Sequence, residues 1–407
     1  MFVPIRKAVT VTEESLNTVD LKSITIKMKK FQVGAFYFPN FHPGDPSNEA
    51  IHGKGWCEWE LIRTAPPRFP GHYQPQRPVW GFEDESDPAV MARKIDAAVD
   101  HALDFWLFDW YHYDDGPFLN KCLDEGFLNA PNRSRIKFAL MWANHDWYRI
   151  HGWNPYCGQE HPELDHPGRV TPESFEKICD LVIERYFKQP NYLTIDGKPF
   201  FSIYEVGTFA TAYQTDVEMR AAIDHFREKV RSAGFPGLHL NIMYWGKPNL
   251  PGGRTPDNWT QIIEATGADS CTSYTWIHHR VLQGCFPTGE YARAREIYLQ
   301  AWEEARRILP VPYFPNVTMG WDNSPRCARD VPWTKDMPHV LGPTMIGNTP
   351  NEFQKSLEAV KAILEANPEQ PRTILVNAWN EWPESSVLEP EERYGYGYLE
   401  AIQRVFG

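Results

Sequence analysis

From about residue 32 onward, short apolar runs rich in β-formers alternate with longer amphipathic stretches, and this alternation restricts the fold more than any other feature of the chain. A run of four to seven apolar residues makes a buried strand, and an amphipathic helix after each run is the connection that parallel strands require. Strand candidates fall at 32–38, 103–110, 136–142, 199–204, 238–244, 269–274, 315–321 and 373–379, with helix candidates at 88–101, 172–187, 217–233, about 259–266, 291–309, 351–366 and 399–406. Asp87-Pro88 and Thr171-Pro172 each place a capping side chain before a proline at the first helical position. Eight strands with intervening helices predict an α/β chain folded as a closed (β/α)8 TIM barrel. An open doubly wound sheet is the structural alternative, but its usual signature is missing: neither G-x-G-x-x-G nor G-x-x-x-x-G-K-[ST] follows the first strand. The 407 residues divide into a polar N-terminal arm, 1–30, and one large barrel, 31–407.

In such a barrel the loops after the strands build the active face. The long polar insertions, 40–85, 109–135, 143–169 and 321–349, all follow predicted strands. Every predicted strand also ends in aromatics: Tyr37-Phe38, Trp110-Tyr111, Trp142, Tyr204, Tyr244-Trp245, Tyr274, Trp321 and Trp379. Acids, amides and imidazoles accompany them, as in Trp142-Ala143-Asn144-His145-Asp146-Trp147. An aromatic plug in the barrel mouth would leave those polar groups without partners, whereas a ligand rich in hydroxyls uses both kinds of surface. The long loops therefore predict a carbohydrate site.

Charge and composition exclude other classes. A net charge of -12 removes the basic footprint that nucleic acids and anionic membranes require. No segment is apolar for long enough to span a bilayer, and the polar stretch Thr10 to Glu14 follows the N-terminal basic residues where a signal peptide would have an apolar core, so a cytoplasmic location is expected. The 7 cysteines are scattered without C-x-x-C or Cys/His spacing, and H-E-x-x-H and G-x-S-x-G are absent. Neither a metal, a cofactor nor a serine nucleophile is expected. The expected partner is an oligosaccharide or polysaccharide; oligomeric state is not encoded in any pattern found.

Within the aromatic ring, Glu381 and Glu384 stand out, in Asn377-Ala378-Trp379-Asn380-Glu381-Trp382-Pro383-Glu384. Glycosidic bond cleavage generally takes two carboxyl groups. Alone, E-x-x-E more often marks a solvated helix face. Here it follows the buried-strand run Thr373-Ile374-Leu375-Val376, and Trp379, Trp382 and Pro383 stand where a solvated face would carry lysine or serine. A carboxyl beside indole rings is partly desolvated, which raises its pKa and suits a general acid. Asp109 is a further strand-end carboxylate that either joins this chemistry or orients His112, and Glu58 is either a sugar ligand or a surface acid. His145 is read as a hydroxyl-binding group with Asp146 structural.

Tyr37-Phe38-Pro39-Asn40-Phe41-His42, Gly55-Trp56-Cys57-Glu58-Trp59, Pro70-Gly71-His72-Tyr73-Gln74-Pro75, Trp142 to Trp147, the Asn377 to Glu384 stretch, Leu388-Glu389-Pro390 and Tyr394 to Leu399 together resemble the WbsX family, grouped with glycoside hydrolase family 99-like domains. Several members occur with bacterial polysaccharide genes and carry glycosyltransferase labels. The more distant family 99 enzymes are retaining endo-α-mannosidases on (β/α)8 barrels without metal or cofactor. The resemblance implies that Glu381 is a base acting on the sugar 2-hydroxyl through an epoxide-like intermediate, and that Glu384 is the acid/base on the glycosidic oxygen. It departs from the family pattern at Pro383, at Ser385-Ser386 in place of a common glycine, and at His145 in place of a common glutamate. The expectation is a retaining, endo-acting glycoside hydrolase. Its sugar-binding set is Tyr37, Trp56, Glu58, Asp109, Trp142, Asn144, His145, Tyr204, Tyr274, Trp379 and Asn380. A glycosyltransferase of surface polysaccharide biosynthesis and a non-catalytic sugar-binding barrel are the alternatives.

Overall fold

Eight parallel strands form a ring in the computed structural model, which describes residues 31–154, 156, 162–246, 258–337 and 341–407. The expected N-terminal arm, 1–30, and Cys157 lie outside the described residues. The strands are β1 (Gln32–Tyr37), β2 (Phe105–Tyr113), β3 (Lys137–Trp142), β4 (Lys198–Ile203), β5 (His239–Met243), β6 (Ser270–Thr272), β7 and β8 (Thr373–Asn377). Strand β7 comes in two pieces, Tyr313–Phe314 paired with β6 and Asn316–Thr318 paired with β8. Between the pieces stands Pro315, which has no N–H to give either neighbour, while its carbonyl accepts from Leu375 N at 3.0 Å. With β8 paired to β1 and β1 to β2, the ring closes. The predicted (β/α)8 barrel is the fold the chain adopts, and Phe31–Gly407 is one compact unit.

The strands are apolar nearly throughout because both faces are covered, one by the barrel interior and one by helices; β8, Thr-Ile-Leu-Val-Asn, is buried at every position. The longer helices, of eight residues or more, are α1 (Pro88–Asp100), α2 (Pro172–Leu181), α3 (Asp216–Ser232), α4 (Trp259–Thr266), α5 (Tyr291–Ile308), α6 (Pro350–Ala366) and α7 (Gly397–Phe406). Asp87 and Thr171 cap α1 and α2 as expected, accepting from Ala89 N and Ser174 N. Thr215 and Glu218 form a reciprocal capping box on α3. Between β2 and β3 the chain folds back as a short strand, Gly116–Phe118, antiparallel to β2, and then makes short helical turns, Cys122–Gly126, Phe127–Asn129 and Arg133–Arg135, in place of a long covering helix. The seventh strand was expected at 315–321 but lies earlier. After Thr318 the chain turns away at Gly320, where a Cβ would meet Ser385 O at 2.5 Å, so the backbone passes too close to the β8 loop to continue a ladder.

A buried cation ties the helical layer to the active face. Lys94 on α1 is ion-paired to Glu85 and to Glu389, all three buried. Glu389 also accepts from Trp382 Nε1 at 2.8 Å, and Glu85 accepts from Asn380 Nδ2 at 3.0 Å. Burial and Glu389 push the Glu85 carboxyl up to about 7 despite Lys94. Among the described residues no helix is long and apolar enough to cross a membrane.

Gly34 tests the packing of the barrel wall. A Cβ there would sit 2.1 Å from Phe105 Cζ on the paired strand β2. Gly34→Ala should therefore destabilise the fold by about 1–3 kcal/mol or more, since overpacking in a closed wall has no room to relax. Urea unfolding at pH 7 measures this; a midpoint equal to wild type contradicts the packing described.

Candidate active site

A cavity of about 120 Å³ opens where the strands end. Phe38 after β1, Asp109 and Tyr111 on β2, Met141 on β3, Tyr204 after β4, Tyr274 after β6, Arg326 after β7 and Glu381 and Glu384 after β8 all contribute to its wall, with His145, Trp147 and His151 from the loop after β3. The loop after β8 follows a cis Asn377–Ala378 peptide and carries Glu381 into a one-turn helix, Trp382–Glu384, with Pro383 inside it.

Arg326 occupies the centre. Its Nε donates to Glu58 Oε1 at 3.0 Å and its Nη1 to Glu384 Oε1 at 2.8 Å, while Nη2 lies 3.4 Å from Glu381 Oε2. The guanidinium also lies 5.6 Å from the centre of the Phe38 ring. Glu58 accepts a further hydrogen bond from Asn40 Nδ2 at 2.8 Å and lies 3.3 Å from His151 Nε2. Burial opposes charge on Glu58, but Arg326 and His151 outweigh it and hold the carboxyl at about 2. Glu381 and Glu384 are both raised, first by burial; Glu384 raises Glu381 further, and Arg326 opposes the shift in each.

A second chain of bonds approaches Glu381 from below. Tyr274 Oη lies 2.8 Å from Asp109 Oδ2 and 2.8 Å from Glu381 Oε1. A phenol has one proton to donate, so when both carboxyls are this close, one of them must carry a proton and donate it to the phenol oxygen. Burial raises Asp109 well above the usual carboxylate range, and its Oδ1 has no partner among the described residues. Arg326 faces Glu381 and not Asp109. One of Asp109 and Glu381 therefore carries a proton that Tyr274 accepts; burial raises both carboxyls well above the usual range, and Arg326 opposes the shift at Glu381 alone of the two. Glu384 Oε2 has no protein partner among the described residues, leaving one oxygen for a ligand.

Of the residues singled out from sequence, Glu381, Glu384, Asp109, His145, Tyr204 and Tyr274 line this cavity together. Burial lowers the His145 imidazole, keeping it neutral at pH 7, and its Nδ1 lies 2.9 Å from Asp146 O. Glu58 is fully buried, pairs with Arg326 and lies outside the cavity lining, so it is not a surface acid. Trp56 stacks on His52 at 4.1 Å and lies 5.3 Å from His151, outside the cavity lining. Tyr37, Trp142 and Trp379, expected in the sugar-binding set, are buried outside the lining of this cavity. Tyr37 Oη donates to Met91 Sδ of α1 at 3.3 Å, Trp142 stacks on Phe175 of α2, and Trp379 packs on Trp106. The physical reason is strand alternation: Phe38 and Met141 take the inward positions, so their neighbours Tyr37 and Trp142 point to the helices. Asn144 and Asn380 are also outside the lining and clamp the backbones of Glu205 and Phe38 with paired bonds. Tyr111 was missed although its period-two spacing from Asp109 places both on one face; Arg326 gave no sequence signal beyond lying in a long loop.

The family model described as Glycosyltransferase WbsX matches residues 33–402. The uncharacterized protein WxcX of Xanthomonas campestris pv. campestris is 27% identical over 376 residues, covering 91% of this chain and 49% of its own length; the chain thus spans about half of that relative. A GH99 endo-alpha-mannosidase from Bacteroides thetaiotaomicron superposes with a TM-score of 0.53 at 14% identity, covering 92% of this chain and 96% of that one. A glycoside hydrolase-like protein superposes at 0.58 with 17% identity, covering 93% and 95%. These superpositions show a shared barrel.

Removing the central cation tests the charge arrangement. Arg326→Leu strands three buried carboxyls and should cost about 3–5 kcal/mol at pH 7. Without the guanidinium their folded-state pKa values rise above the unfolded value. Stability contributed by a raised carboxyl is present below the unfolded pKa and lost as pH rises through the folded one. The penalty should therefore shrink at pH 5. Denaturant titrations of both proteins at pH 5 and 7 read it; a loss independent of pH refutes the charge account.

Proposed function

The chain belongs to the WbsX family, and on that premise we propose that it is a retaining, endo-acting glycoside hydrolase in which Glu384 is the general acid/base and Glu381 the base. The carrying observation is the pair of buried carboxyls sharing Arg326 in a cavity lined by Tyr111, Trp147, Tyr204 and Tyr274. One guanidinium holding both acids keeps them close, which favours the short separation of retaining enzymes, about 5–5.5 Å, over the wider gap of inverting ones. Arg326, which opposes the shift at Glu381 and not at Asp109, supports Glu381 as the ionised partner. Glu384, raised by burial, keeps a proton for the leaving oxygen, with its unpartnered Oε2 available to deliver it. By resemblance the base acts on the sugar 2-hydroxyl, and the substrate is mannose-like in the orientation of that group. His145, Tyr204 and Tyr274 would bind hydroxyls around the reacting ring.

The family's description as a glycosyltransferase supports a second reading, transfer from a nucleotide sugar. Among the described residues that line the cavity, the only guanidinium is already engaged by three carboxylates, which makes a poor cradle for a diphosphate. A non-catalytic sugar-binding barrel is the third reading, and it would leave the pair of acids without a task.

Glu384→Gln should lower cleavage of a responsive glycan by about 10²-fold or more and remove the alkaline limb of the pH profile, where wild type loses the acid's proton. A substrate with an activated aryl leaving group should recover much of that rate, whereas Glu381→Gln should not recover. Incubation of wild type with mannans, rhamnose-containing polysaccharides and nucleotide sugars, followed by product analysis, separates the readings. Turnover of nucleotide sugars alone contradicts the hydrolase, and full glycan cleavage by Glu384→Gln contradicts the assigned role.

A further inference from the structure

A second cavity, about 340 Å³, lies on the other side of the Glu384 turn. The wall between the two cavities is one residue thick at two places: Asn323 and Glu384 face the first, and their neighbours Asp322 and Ser385 face the second. Asp322 N donates to Glu384 O at 2.8 Å and seals that partition. The Asp322 carboxylate is itself saturated by His72 Nε2 and Gln74 Nε2, both at 2.7 Å, with Ser324 N at 3.1 Å on its other oxygen. His72 Nδ1 accepts from Arg68 N at 3.0 Å, so its Nε2 carries the proton and the pair is a finished structural unit.

Other groups in the same wall are unfinished. Trp321, 3% exposed, has an indole N–H with no partner among the described residues, and Gln76 Oε1 has none either. The Asn348 side-chain amide, which would abut a Cβ at Gly320 at 2.7 Å, makes no hydrogen bond among those of the described residues. The Trp321 and Gln76 atoms are buried and costly in this state, which points to a missing partner, while the half-buried Asn348 amide borders the same cavity. Beside them stand the rings of Phe69, Tyr73 and Tyr394. Aromatic rings together with open amides and an indole donor suit a pyranose, whose C–H face packs on rings while its hydroxyls both donate and accept.

We propose that this second cavity, formed by Gln76, Trp321, Asn348 and the surrounding rings, is a saccharide-binding site separate from the catalytic cavity. It rests on the hydrolase reading only for the class of ligand. A site one partition away from the acids would hold a second unit of a branched glycan, or a neighbouring chain, beside the one being processed.

Calorimetric titration of the full chain with methyl α-D-mannopyranoside, methyl α-L-rhamnopyranoside and methyl β-D-glucopyranoside tests this. Two binding events are expected for at least one probe. Gln76→Ala and Asn348→Ala remove side chains without intramolecular hydrogen bonds, so both should fold, and each should weaken one event about 10-fold. His145→Ala should weaken the other. A single event sensitive to His145→Ala and indifferent to Gln76→Ala and Asn348→Ala overturns the second site and leaves the hydrolase reading standing. A single event with the opposite sensitivities supports the second site and counts against sugar binding in the first. No event with any probe overturns the second site as a pyranose site, and glycan cleavage by the same preparation then judges the hydrolase reading separately.

Discussion

The active face depends on one buried cation. Arg326 meets Glu58, Glu381 and Glu384, which arrive from the loops after β1 and β8, while Arg326 itself comes from the loop after β7. Like charges brought this close in a poorly solvated cavity repel strongly, and no barrel scaffold would hold them without a compensating charge. A lysine would present a point charge to one or two of them. The planar guanidinium has separate N–H groups to meet all three, so its geometry fixes the acids relative to one another. Its charge balances only part of theirs, and burial then decides which carboxyls keep protons.

That protonation pattern is where structure becomes chemistry. Glu58, held at about 2, is a permanent anion that anchors Arg326. Asp109, inside the barrel and without a cation, is raised by burial, and Tyr274 links it to Glu381. Behind the β8 loop a second buried cation does similar work. Lys94 holds Glu85 and Glu389, which receive Asn380 and Trp382, the residues on either side of Glu381. The two acids of the pair are thus fixed from the cavity side by Arg326 and from the helix side by Lys94.

The barrel was legible in the sequence because its signal is local: a parallel strand covered on both faces must be apolar throughout, and α1 and α2 carry their caps beside them. The position of the glutamate pair was legible for the same reason, as polar residues inside an otherwise buried strand end. What escaped was the contribution of distant segments. Arg326 lies 55 residues before Glu381 and 268 after Glu58, and its role exists only once the loops have met. The strand-end aromatics divide between the cavity wall and the packing behind it, and composition does not say which way a side chain points. One position of register separates Tyr37, packed toward Met91, from Phe38 in the cavity wall.

Two departures from the family pattern, Pro383 and Ser385-Ser386, fall in the turn that carries Glu384, and local geometry absorbs them. Pro383 sits in the first turn of the Trp382–Glu384 helix, where its fixed φ fits and a missing N–H costs nothing. Ser385 follows at φ +53, a left-handed conformation that costs a non-glycine residue about 1 kcal/mol. Its hydroxyl lies 3.1 Å from Gln74 Nε2, from which it accepts, and its N–H donates to Trp382 O, which offset that cost. Ser386 then donates to Asn377 O at 2.7 Å, closing the loop onto the end of β8. A glycine would give this turn freedom; the serines and proline stiffen it instead. Because Ser385 belongs to the partition between the two cavities, that stiffness bears equally on the orientation of Glu384 and on the shape of the second cavity, so the two are constrained together by the same turn.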